Sequence, residues 1–454
     1  MSCKKNGSGV SRRKTPVLYV LAVIFLTILF FSNDFGLVDI QKTAIVLAVG
    51  IDRENDEFIV NSRIAVPSAS GDQKAAADSI QVETRGDTVG AAIQDINTKT
   101  GWYPKLVFLN LIVLGDTATQ KNAFDTLDFF LRYEYMSDDC QVCCCEGKAS
   151  ELLNTETDVE KTPSLAIGKI LSEHSATTGL VAVASLRKFS AGYFGVSKSG
   201  YMPLLKYVSL STGKKTDGAD SAENTGESGG AGGAGGAENS GSSGSSGGAG
   251  GSENSGSSGG AGGAGESENS GSSGGAGGAG GGENAGKTFT ATETALFADG
   301  VYKGKLTKDE TFAFLCVGGG VRLAAFDVDY GGVTYTLTIK KSKAKIKFYV
   351  DDFAAPHLNV QLDIVAGLQD MSSSQTIVEI AAPEKTKQAV LEEAGKKLKR
   401  LVNSTFQKSR AYECDLFGAE KRLQKFERNY FNAYRENLLD RVLFYADVRF
   451  SPAR

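Results

Sequence analysis

The chain has 454 residues, 41% of them hydrophobic and 22% charged, with a net charge of −4. That length exceeds one ordinary core, so two or three domains are expected. The charge gives no general attraction to nucleic acid. Most of the 55 glycines lie between Gly213 and Gly286, so the rest has the composition of a globular protein.

At the N-terminus, Lys4, Lys5, Arg12, Arg13 and Lys14 precede an apolar run, ended by Ser32, Asn33 and Asp34. Its apolar members are Val17, Leu18, Val20, Leu21, Val23, Ile24, Phe25, Leu26, Ile28, Leu29, Phe30 and Phe31. A helix over 17–31 would be apolar on every face and flanked by basic residues, which reads as a membrane anchor rather than a core helix. A cleaved signal peptide is the alternative, since h-regions run about 7–15 residues, although no small-x-small site follows Phe31. A retained anchor wants about 20 residues, a deficit that snorkelling flanks and local thinning offset. Either way residues 1–16 stay cytoplasmic and everything after residue 34 is extracytoplasmic.

The first folded block is expected over 36–210. Strands at Ala44–Ile51 and Phe58–Val66 flank a polar turn at Arg53–Glu57, which makes a hairpin. Ile80–Thr84 is a further strand, and Asp87 caps a helix carrying Val89, Ala92, Ile93 and Ile96. The apolar run Leu106–Leu114 predicts a strand covered on both faces. A helix with Phe124, Leu127 and Leu131 follows, then a strand over Asp139–Cys145, short helices at Lys148–Leu153, Pro163–Leu171 and Ala182–Phe189, and a strand at Tyr201–Leu210. Strands and helices mixed in this order indicate an α/β or α+β block.

Residues 211–288 change character. Glu223, Glu238, Glu253, Glu268 and Glu283 are each followed by Asn, at a constant period of 15. No unit holds a residue large enough to build a core, so the period is read as a flexible Gly/Ser linker and not a solenoid.

The second block is expected over 289–454. Thr294–Phe297 and Val301–Lys303 form a hairpin about Asp299-Gly300, and Thr307 with Glu310 makes a capping box for a helix through Leu315. Three alternating strands follow: Val333, Tyr335, Leu337 and Ile339 in the first, Ala344, Ile346, Phe348 and Val350 in the second, and Leu358, Val360, Leu362 and Ile364 in the third. They predict an antiparallel sheet with one wet face. Helices over Glu384–Ser409, with Leu391, Ala394, Leu398, Leu401 and Thr405 inward, and over Ala419–Tyr434 precede a last strand at Val442–Phe450. The fold class is therefore α+β or mixed α/β, with helices packed on mixed sheets behind the N-terminal segment.

Catalytic signals are sparse. His174 and His357 are the two histidines, one in each block, and the Gly226–Gly230 nucleophile-elbow pattern falls in the linker, where no strand-to-helix turn is expected. The seven cysteines are Cys3, Cys140, Cys143, Cys144, Cys145, Cys316 and Cys414, an odd and crowded set unlike a disulfide framework. In a strand, Cys144 would face away from Cys143 and Cys145. Small apolar residues of a buried strand are the leading reading, and a redox or metal role is the alternative. Lys343, Lys345 and Lys347 stripe the wet strand face, either as a solvated surface or as a contact for anionic lipid or an acidic partner. No cofactor is implied.

Several segments together resemble the Ger(x)C family, the C subunits of nutrient germinant receptors of spore-forming bacteria. They are Ala44–Asp52, Lys105–Gly115 followed by Leu127–Arg132, Glu293–Phe297 through Gly304–Leu306, and Cys414–Gly418 with its basic helix and Val442–Phe450. The resemblance implies three mixed α/β domains, no enzymatic activity, and action with A-type and B-type membrane subunits at the outer face of the spore inner membrane. Two departures stand out. Family members usually carry a lipidated cysteine, whereas here Cys3 lies before the apolar run and none lies near Phe31, so a helix would replace the lipid. The long Gly/Ser insertion is also unusual. The leading functional expectation is a non-catalytic receptor subunit that binds membrane partners. The alternative is a surface adhesion protein with a Gly/Ser stalk, and the third reading is a thiol or metal enzyme.

Overall fold

The structure, a computed structural model, describes residues 14–32, 42–65, 79–155, 157, 160, 162–210, 286–372 and 384–453. The basic stretch before Lys14 and the repeat segment 211–285 lie outside the described residues. Helix α1 spans Lys14–Ser32, and its described side chains, Leu18 to Ile28, are all exposed. Among the described residues no helix is long and apolar enough to cross a membrane.

The first half begins with β1 (Thr43–Glu54), β2 (Glu57–Ala65) and β3 (Ser79–Gly86), then α2 (Val89–Thr100), β4 (Tyr103–Lys105) and β5 (Leu111–Leu114). Next come α3 (Asp116–Gln120), α4 (Ala123–Arg132), β6 (Gln141–Cys145), α5 (Ala149–Asn154), α6 (Pro163–Ile170), α7 (Glu173–Thr177), α8 (Leu186–Tyr193) and β7 (Ser199–Leu210). Beyond the repeats follow β8 (Gly286–Ala298) and β9 (Val301–Leu306). These strands form one nine-stranded sheet, ordered β3-β2-β1-β5-β6-β7-β8-β9, with β4 beside β1. The sheet is parallel from β1 through β7 and antiparallel at both flanks. Helices α2, α4 and α8 cover one face, while α5 and α6 cover the other. Two-sided cover is what makes β5 and β6 apolar at nearly every position.

Several expectations shift. Strand pairing crosses the repeat segment, because β8 pairs antiparallel with β7, so residues 286–306 complete the first sheet rather than open a second block. Only Leu111–Leu114 of the run Leu106–Leu114 is strand. Leu106 and Leu109 are buried in the loop before it, and Val107 and Phe108 are exposed. A bulge between Val46 and Ala48 reverses the parity of β1, so that Ala44, Val46, Val49 and Ile51 share one core while Ala48 joins the other.

The second sheet comprises β10 (Ala324–Tyr330), β11 (Val333–Val350), β12 (Pro356–Met371) and β13 (Leu443–Pro452), in that order. Its core face is covered by α9 (Lys308–Gly318) and α10 (Glu384–Ala411). Thr307 and Glu310 form the expected capping box of α9. The two alternating runs expected as separate strands are the single strand β11. A bulge between Ile339 and Lys341 moves the inward set from Tyr335, Leu337 and Ile339 to Ser342, Ala344 and Ile346. Strand β13 runs parallel to β12, so the sheet is mixed and not wholly antiparallel. The helix expected over Ala419–Tyr434 breaks at Glu427 into α11 (Ala419–Phe426) and α12 (Arg428–Tyr434), followed by α13 (Leu438–Arg441).

Candidate functional site

The covered and uncovered faces of the second sheet divide the candidates. Among the described residues no helix packs on the face away from α10, and the strand registers fix its rows. Across β11, β12 and β13 they read Lys341–Val365–Ser451, Lys343–Asp363–Arg449, Lys345–Gln361–Asp447, Lys347–Asn359–Tyr445 and Tyr349–His357–Leu443. The β11 member of every row is exposed. Lys341, Lys343, Lys345 and Lys347 form no ion pair among the described residues, whereas Arg449 and Asp447 pair at 2.8 Å. The structure thus places the three predicted lysines in one column and adds Lys341 to it.

The aromatic end of this face was not anticipated. Tyr349 stacks on His357 with ring centroids 4.8 Å apart. The His357 Nε2 lies 3.0 Å from the Asp351 Oδ2, and the other Asp351 oxygen accepts from the Phe353 and Ala355 N–H groups. The His357 hydrogen bond and those backbone donors hold the Asp351 carboxyl below its usual range. This ties down the β11–β12 loop, at whose tip Phe353 is 93% exposed. Leu443 is also exposed on the same face, and Tyr445, on the edge strand β13, is exposed with the Lys399 Nζ of α10 4.9 Å from its ring centroid.

The cysteine cluster has a different character. Cys140 and Cys144 point into the core beneath α2, α4 and α8, while Cys143 and Cys145 point to the opposite one. Burial pushes the Cys140 thiol up to about 12 and likewise raises the thiols of Cys143, Cys144 and Cys145 above the ordinary cysteine range, so thiolate chemistry is disfavoured. No group of ligating side chains fit for a metal occurs among the described residues. His174 lies on α7, beside an open depression of about 510 Å³ lined also by Glu173, Thr177, Arg322, Leu323 and Lys340. His174, Glu173, Arg322, Leu323 and Lys340 are all exposed, which leaves a solvated dip without a buried polar anchor.

Two of the segments singled out in the sequence do structural work at element junctions. Asp52, 2% exposed, accepts from the Ala149 N–H at 2.9 Å and the Ser150 N–H at 3.1 Å, capping α5. A Cβ on Gly115 would sit 1.9 Å from the Asp52 Oδ1, so that glycine makes room for the cap. At the other end of the chain, Asp415 caps α11 through the Ala419 and Glu420 N–H groups. Its own N–H donates to the Ser199 Oγ at 2.8 Å, and the Cys414 thiol reaches the Gly200 carbonyl, so Cys414–Gly418 fastens the end of α10 to β7 of the first sheet.

Residues 37–207 match the spore germination protein N-terminal domain. Residues 292–451 match the spore germination B3/GerAC-like C-terminal domain. The chain belongs to the Ger(x)C family of spore germination proteins. Members of this family are C subunits of spore germinant receptors. No curated protein matches the chain in sequence. A solved structure described as the crystal structure of the GerBC protein is 14% identical, covers 89% of this chain and 97% of its own, and has a TM-score of 0.47. The two Ger(x)C matches flank the repeat segment, which neither includes.

Proposed function

We propose that this Ger(x)C protein is a non-catalytic, membrane-anchored subunit of a nutrient germinant receptor, which takes part in germination by binding A-type and B-type membrane subunits. The observation that carries the reading is the pair of family matches over 37–207 and 292–451. The apolar helix α1 supports it: Leu18, Leu21, Phe25, Leu26 and Ile28 are more than half exposed, an arrangement that suits lipid and not water. Its described part falls short of a full bilayer span, so on this reading local thinning and the flanking basic residues complete the anchor and residues 34 onward lie at the extracytoplasmic surface of the spore inner membrane.

Affinity purification from spore membranes tests the assembly and is expected to recover A-type and B-type subunits. Recovery of the chain alone overturns it. Protease added to intact protoplasts should digest the folded part, and protection until lysis reverses the orientation.

A further inference from the structure

The uncovered face of the second sheet combines two features rarely left together in water. Four lysines stand in one column on β11, six residue steps from end to end, or about 20 Å at strand spacing. With Arg449 they face only two acidic side chains in the same rows, Asp363 and Asp447, and Asp447 is already paired to Arg449. At the hairpin end the column passes into Tyr349, Leu443 and Tyr445, exposed at 45%, 52% and 55%, and then Phe353 at the loop tip.

We infer that this face is a second membrane contact, in which the Lys341–Lys347 column lies on anionic lipid headgroups and the Phe353 tip with Tyr349 enters the interfacial layer. The inference rests on the membrane-anchored reading above. The choice of lipid over an acidic protein follows from chemistry. Protein interfaces are depleted in lysine and bury their aromatics in packed pockets. Interfacial membrane surfaces set long cationic side chains, which keep their heads in the polar layer, beside amphipathic rings. At the loop tip the Asp351 carboxylate is occupied by His357 and two backbone N–H groups, and the exposed Asp352 is one negative charge against the four lysines of the column.

The full chain, reconstituted in nanodiscs of either zwitterionic or anionic lipid, provides the test. In a Phe353→Trp variant, emission beyond that of native Trp102 should be quenched by nitroxide-labelled lipid in anionic discs and much less in zwitterionic ones. Each lysine near an anionic surface contributes about 1 kcal/mol, roughly fivefold. Replacing Lys343, Lys345 and Lys347 by Gln should therefore weaken the contact by about 100-fold and abolish the quenching, and raised salt should mimic the replacement. Equal quenching in both lipids, or quenching unchanged in the triple variant, overturns the inference. Loss of co-purifying subunits in the triple variant with unchanged lipid quenching identifies a protein interface instead and also overturns it. Failure of the native chain to associate with zwitterionic discs counts against the α1 anchor alone, since the difference between anionic and zwitterionic lipid still reports on the lysine face.

Discussion

Replacing Asp52 by Ala removes a carboxylate that is 2% exposed and accepts two backbone hydrogen bonds, at 2.9 and 3.1 Å, from the first turn of α5. Hydrogen bonds to a charged group contribute about 1.5–3 kcal/mol each. Part of that is offset, because burial raises the Asp52 carboxyl above its ordinary value and the backbone donors only partly reverse the shift. A net loss of about 2–3 kcal/mol is expected, concentrated in α5 and the end of β1. Gly115→Ala attacks the same cap from the other side, since its Cβ would fall 1.9 Å from the carboxylate oxygen and displace it. The two substitutions should therefore not add, and Asp52→Ala in the Gly115→Ala background should cost less than about 1 kcal/mol. Urea unfolding of the four proteins closes the cycle, and hydrogen exchange at Ala149 and Ser150 localises the loss. Additive losses, or full exchange protection in Asp52→Ala, would show that the cap is not what holds α5 to the sheet.

Three further outcomes are expected. Phe406→Ala, which removes a 1% exposed ring stacked on Phe444 at 4.1 Å, should lower stability by about 3–5 kcal/mol in a denaturant titration. The six described cysteines are free and buried, so a thiol reagent should leave them unmodified in the native protein and label them at the rate of unfolding, as mass spectrometry would read. Burial and the nearby Asp415 push Glu420 up to about 7, so the folded state binds its proton more tightly than the unfolded state. Stability should then fall as pH rises from the ordinary glutamate range to about 7, and Glu420→Gln should flatten that slope and gain about 1–2 kcal/mol at pH 8 after solvent screening.

Local pattern made most of the elements legible, and what escaped it was non-local. The period-2 alternation of Tyr335–Ile339 and of Ala344–Val350 is visible in the sequence, but the parity change between them reads as a break when it is a bulge within one strand. The continuous run Leu106–Leu114 could not reveal that its first half is a loop with Leu106 and Leu109 buried and Val107 and Phe108 exposed, because an apolar run without periodicity looks alike in both. The parallel pairing of β13 with β12, and the return of β8 to the first sheet, depend on partners far away in sequence. The candidate face divides the same way. Alternation exposes Lys343, Lys345 and Lys347, whereas His357, Leu443 and Tyr445 join them only through a register that no single strand encodes.

The point at which the repeats enter the fold has an evolutionary consequence. Leu210 and Gly286 are cross-strand partners at the open end of the β7–β8 pair, so the chain departs from and re-enters the sheet at neighbouring positions. The entropic cost of closing such a connection grows only logarithmically with its length, and losing or gaining one 15-residue unit changes it by roughly 0.2 kcal/mol. A change in the number of 15-residue units therefore leaves the β7–β8 register in place, which makes this position a tolerant entry point for inserted tags or whole domains.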